Sequence, residues 1–182
     1  MAHQFTTSYI EDSLSILRAY KKQAEGAMAQ LSDEQLFATL DPDMNSIAQI
    51  VKHMTGNMRS RWTDFLTTDG EKPDRDRDSE FVEPLPTREA MLASWEDGWR
   101  LVFSAIEPLT DADLGRIVTI RSEPHSVMQA INRQIAHYSG HIGQIVFLAK
   151  HLAGPEWKPL TIPKNRSADF NRKVLAGEAT QR

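Results

Sequence analysis

A chain of 182 residues is near the usual size of one domain and can bury a core without disulfide or metal staples. With 40% hydrophobic and 25% charged residues the composition is globular rather than disordered, and no apolar run approaches the roughly 20 residues that span a bilayer. A net charge of −4 gives no reason to expect a nucleic-acid partner, and the absence of cysteine excludes disulfides, thiolate nucleophiles and Cys-based zinc sites, so sulfur chemistry would need a thiol brought by the substrate.

One folded unit is expected over residues 1–182, with an extended tail over about 155–182. The start, Met1 to Tyr9, lacks the basic and apolar stretches of a secretory signal, which makes a cytoplasmic location the expectation. The first helix is predicted from about Ser8 to Leu31, where Ser8 and Glu11 have the form of a capping box and Ile10, Leu14, Leu17, Ala24, Met28 and Leu31 recur at helical steps. Ser32, Asp33 and Glu34 then read as the cap of a short connecting turn. A second helix is predicted with Ser46 as its cap and an apolar face of Ile47, Ile50, Val51, Met54, Met58, Trp62 and Phe65. The charged stretch Glu71 to Glu80 reads as a solvated loop.

A third helix opens at Thr87 after Pro84 and Pro86 and buries Met91, Leu92, Trp95, Trp99, Val102, Phe103 and Ile106. The alternating run Ile117 to Ile120 is too brief to support a sheet and reads as an extended connection. A fourth helix runs from near Ser126 to Leu152, with Gly154 and Pro155 as stop signals. Four amphipathic helices and no convincing strand give an all-α fold class, a helical bundle.

His137 and His141 stand four apart in the fourth helix, so their imidazoles stack on one face a turn apart and can share an ion. They lie at the edge of the apolar stripe, with Gln134 and Gln144 above and below. His53 holds a similar border position in the second helix, with Asn57 and Arg61 continuing its line. Three neutral imidazoles suit zinc, nickel, copper or iron and leave a position open for water or substrate. Periodicity does not show that the second and fourth helices are neighbours, so on spacing alone His53 stays unattached to the pair. The first His is followed by Tyr138 rather than Glu, which disfavours a metalloprotease of the His-Glu-x-x-His type. His125 reads as a loop residue, and His3 and His151 as surface residues.

The segments Asn45-Ser46-Ile47-Ala48-Gln49-Ile50-Val51-Lys52-His53-Met54-Thr55-Gly56-Asn57-Met58 and His137-Tyr138-Ser139-Gly140-His141-Ile142-Gly143-Gln144-Ile145 resemble the two histidine-bearing helices of the DinB/YfiT-like metalloenzyme superfamily. Arg61-Trp62-Thr63-Asp64-Phe65-Leu66, Asp69-Gly70-Glu71-Lys72-Pro73 and Trp157-Lys158-Pro159-Leu160-Thr161-Ile162-Pro163-Lys164 are similar to a branch of it with unassigned function. The resemblance covers nearly the whole chain. It implies a four-helix bundle with an extended C-terminal tail and a metal site in which His53 joins His137 and His141. Where the branch has glycine in its tail turn, Asn165 stands here, a residue that also tolerates a left-handed backbone.

Relatives in that superfamily include transferases and isomerases that use low-molecular-weight thiols. The resemblance therefore implies a metal-dependent thiol S-transferase, with zinc or nickel as the expected divalent ion and a small molecule as substrate. Asn57, Arg61, Tyr138 and Gln144 are the candidates for contacts to ligands or substrate, Arg61 alternatively serving as a structural ion pair. Two other readings stay open: a hydrolase that activates water, and a non-catalytic homodimeric metal or small-ligand binder whose interface uses Trp95, Trp99 and the tail.

Overall fold

The computed structural model describes residues 8–180, so His3 lies outside the described residues. Four long helices dominate it: α1 (Tyr9–Met28), α3 (Ile47–Trp62), α4 (Arg88–Ile106) and α5 (Val127–Ala153). Two short ones, α2 (Asp33–Phe37) and α6 (Ser167–Leu175), a hairpin of β1 (Ile117–Ile120) and β2 (Glu123–Ser126), and single 3-10 turns at Asp78–Glu80, Asp111–Asp113 and Gly154–Glu156 complete the regular structure. The fold is mostly helical, as the periodicity implies.

The helix starts are set by side chains that satisfy otherwise unpaired backbone N–H groups. Ser8 with Glu11, Ser46 with Gln49 and Ser126 with Gln129 each form a reciprocal capping box, and Thr87 caps α4. Gly154 ends α5 at a φ of 54°, where residues with a Cβ are strained. The apolar stripes then meet in one core: α3 packs most extensively on α4 and α1 on α5, while α3 also meets α5 and α1 meets α4. No helix among the described residues is long and apolar enough to cross a membrane.

The structure differs from the sequence reading in several places, among them Leu92, which is exposed rather than part of the buried stripe. Residues 117–120 are a strand after all, paired antiparallel with 123–126 through the two-residue turn Arg121–Ser122. The turn after α1 contains a helix, α2, with its own Ser32–Gln35 capping box. The tail is not extended throughout: α6 begins beyond Pro163, and Asn165 takes the left-handed φ of 66° expected of it. Finally, Trp95 and Trp99 are fully buried and pack edge to face at 5.6 Å, so they belong to the core and offer no surface to a second copy.

Candidate metal centre

The site lies where α3 faces α5. His53 is buried on α3, and half-buried His137 and His141 stand one turn apart on α5. Their Nε2 atoms converge: His53 to His137 is 3.3 Å and His141 to His137 is 3.1 Å. Nitrogens held about 2.0–2.1 Å from a tetrahedral ion stand roughly 3.3–3.4 Å apart, so the spacing fits three ligands of one cation. One ligand atom from each histidine lies within 4.8 Å of the others, and this is the group among the described residues that could hold a metal ion.

Two of the rings are aimed by hydrogen bonds from the opposite nitrogen. His53 Nδ1 donates to Glu80 Oε2 at 2.8 Å, because an ionised carboxylate only accepts, and in the neutral ring a proton on Nδ1 leaves Nε2 as a lone pair. His141 Nδ1 donates to Gln144 Oε1 at 2.8 Å with the same result. Both lone pairs thus face His137 Nε2, whose own Nδ1 is buried without a partner. A proton on His137 can satisfy one neighbour at a time. A cation among the three satisfies all of them.

Burial keeps His137 and His141 neutral. Burial, followed by the nearby His141 and His53, brings the pKa of His137 from 6.5 to about 3. Burial also lowers that of His141, against the bond to Gln144. For Glu80, burial acts upward but is outweighed by hydrogen bonds from His53 and Arg75, which hold the carboxyl below its ordinary value.

Glu80 is the participant that the sequence reading missed. Its charged surroundings read as a solvated loop, yet its side chain is 6% exposed and so is that of Arg75, whose Nε and NH2 donate to the two Glu80 oxygens at 2.8 and 2.9 Å. The loop is drawn onto α3 from several points. Lys52 Nζ donates to the carbonyls of Ser79 and Glu83, both at 2.7 Å, and Gln49 Nε2 to that of Phe81 at 3.0 Å. Phe81 packs on the His53 ring at a centroid distance of 4.5 Å. Gly56 makes room for the carboxylate: a Cβ there would stand 2.2 Å from Glu80 Oε1. That glycine, one turn beyond His53, is the one sequence signal of a close approach at this point.

The other candidates are placed as follows. Asn57 and Arg61 line a cavity of about 370 Å³ that His53 and His137 also border. Arg61 is buried and committed, donating to the carbonyl of Gly70 and, at 2.8 Å, to Glu71. Tyr138 points into the core, where its hydroxyl receives Trp62 Nε1 at 2.9 Å and donates to Asn57 Oδ1 at 3.3 Å; burial pushes its pKa upward. Gln144 touches His141 rather than the cavity lining. His125 is half-buried on β2 and His151 exposed on α5, and neither joins the cluster.

A comparison with curated proteins found no match. A family model described as a protein of unknown function, DUF1572, matches residues 4–166. The chain belongs to this DUF1572 family, which lies within the DinB/YfiT-like superfamily.

Proposed function

We infer that the protein is a divalent-metal-dependent enzyme in which His53, His137 and His141 hold zinc or nickel and a small thiol is the cosubstrate of an S-transferase reaction. The reading rests on one observation above all: three Nε2 atoms converge at ligand spacing beside an open cavity. The long helices fit the four-helix bundle of the superfamily, with the ligands on α3 and α5. An ion bound there would hold a thiol as thiolate at neutral pH, well below its free pKa of about 8.5.

The chain's own residues prepare the centre. Glu80 and Gln144 fix two of the rings with the lone pair inward, and burial keeps His137 and His141 unprotonated. Tyr138 orients Asn57, whose amide borders the cavity next to His53. A thiol nucleophile suits the site better than activated water. Water would need a base, and both oxygens of Glu80 are already engaged by His53 and Arg75.

Metal content after untagged purification is expected to approach one ion per chain and to fall in His137→Ala and His141→Ala. Equal stoichiometry in all three proteins would sink the site. Metal-loaded protein is then expected to consume thiol in the presence of an alkylating electrophile. Ester cleavage without thiol would move the reading to a hydrolase, and no turnover of either kind to a binding protein.

A further inference from the structure

The cavity beside the histidines is lined by five arginines, Arg61, Arg75, Arg77, Arg121 and Arg133, together with Gln134. The whole chain carries a net charge of −4, so this concentration of guanidinium is local and not a consequence of a basic protein. It comes from four separate segments. Arg61 lies on α3, two turns beyond His53; Arg133 lies on α5, one turn before His137; Arg75 and Arg77 come from the loop, and Arg121 from the hairpin turn. The two histidine helices therefore present the same order, histidine and then arginine, along opposite chain directions.

The arginines fall into two groups. Arg61 and Arg75, each with a side chain 6% exposed, are held by Glu71 and Glu80 and build the wall. The rim is freer. Arg121 reaches Glu71 at 3.2 Å with a side chain 54% exposed, and Arg77, half exposed, lies over the Phe81 ring at 5.1 Å and pairs with the almost fully exposed Asp78 at 3.8 Å. Arg133 is exposed and makes no ion pair among the described residues. Asp69 accepts the backbone N–H of Arg121 and leaves its guanidinium untouched. Even with Asp69 and Asp78 counted beside Glu71 and Glu80, the guanidiniums outnumber the carboxylates, and a divalent ion would add two further positive charges. Gln134 is 3% exposed and has an Oε1 without a hydrogen-bond partner, so the floor of the cavity also carries an unmet polar group.

We propose that this cavity binds a small oxyanion-bearing substrate, its carboxylate or phosphate gripped by Arg77, Arg121 and Arg133 while its other end reaches the ion. The planar guanidinium matches the two oxygens of a carboxylate or phosphate, and a volume of about 370 Å³ suits a ligand of small-metabolite size. The proposal rests on the three-histidine reading, because the ion defines the second end of the ligand.

The test uses cobalt(II)-loaded protein, whose visible spectrum reports ligands at the ion without any turnover. Two thiols of similar size are titrated, 3-mercaptopropionate and the uncharged 2-mercaptoethanol, alongside succinate and inorganic phosphate. The charged thiol is expected to bind at least about tenfold more tightly, and the advantage to shrink several-fold in Arg133→Gln and at high salt. Arg133 is exposed, so its variant is expected to fold normally. Equal affinity for both thiols, or a preference that survives Arg133→Gln and Arg121→Gln together, overturns the anion site while leaving the thiol reading intact. No thiolate-to-cobalt band with either thiol, but spectral shifts with succinate or phosphate that depend on Arg133, supports the anion site and removes the thiol. Which of those two anions binds more tightly identifies the oxyanion.

Discussion

Glu80 governs the aim of His53, and its removal separates orientation from ligation. Glu80→Gln keeps the shape but leaves the buried Arg75 guanidinium with only its 3.5 Å ion pair to Glu71, and metal affinity is expected to fall by about 10- to 100-fold. Competition against a chelator of known affinity measures this, and an unchanged value would mean that packing on Phe81 alone fixes the ring. Gly56→Ala acts on the same contact. The methyl would gain up to about 1 kcal/mol of helix propensity but would collide with a carboxylate that three hydrogen bonds hold in place, so both metal affinity and urea stability are expected to drop, the latter by about 1–3 kcal/mol. The depressed pKa of His137 has a pH consequence in chelator-treated protein. Its stabilising contribution is complete above the unfolded value near 6.5 and is lost as pH falls toward about 3, so unfolding free energy should decline across that window and more shallowly in His137→Asn. Equal slopes in the two proteins would contradict it. At this scale the His137–His141 pair was legible because helical spacing alone stacks them. Glu80 was not, since it stands 27 residues from His53 in a segment whose charge looked like solvation, and no periodicity tells which loop folds back.

Among the elements, the hairpin shows most clearly why local sequence was insufficient. Its turn residues Arg121 and Ser122 have φ of 56° and 64°, a conformation usually supplied by Asn-Gly. Neither residue announces a turn, and the partner strand Glu123-Pro124-His125-Ser126 has no apolar alternation. The conformation is held from outside: Asp69 accepts the N–H groups of Arg121 and Ser122 at 2.8 and 2.7 Å, and that of Glu71 at 2.7 Å. Those same bonds draw the Asp69 carboxyl below its ordinary value. Asp69→Ala is therefore expected to cost about 2 kcal/mol in urea unfolding, and Ser122→Gly to recover part of the loss in that background by relieving the left-handed strain. A double mutant no more stable than Asp69→Ala would refute the account. The long helices, by contrast, were legible down to their caps, because capping boxes and apolar stripes are written in neighbouring residues. In the tail, Gly154 and Pro155 mark the end of α5 and the chain after them reads as extended, whereas α6 forms beyond Pro163.

Across the molecule, the candidate ion would join α3 to α5 directly and the 71–81 segment through Glu80. Binding to the folded chain alone is expected to add about 2.7 kcal/mol at a free metal concentration a hundred times Kd, visible as a rise in Tm that chelator abolishes and His137→Ala lacks. The overall helical class was readable from four periodic stripes, but the adjacency of α3 and α5, which makes three histidines one site, is a tertiary fact. The Asp69 clamp carries a kinetic corollary. Because the carboxylate that stabilises the turn comes from more than 50 residues earlier in the chain, the hairpin has little reason to form on its own and should close late, after α3 and α5 have docked and delivered the preceding loop. Hydrogen exchange during refolding would then protect the amides of Arg121 and Ser122 after those of the helix interiors, and in the native state they would open together with Glu71 as one unit.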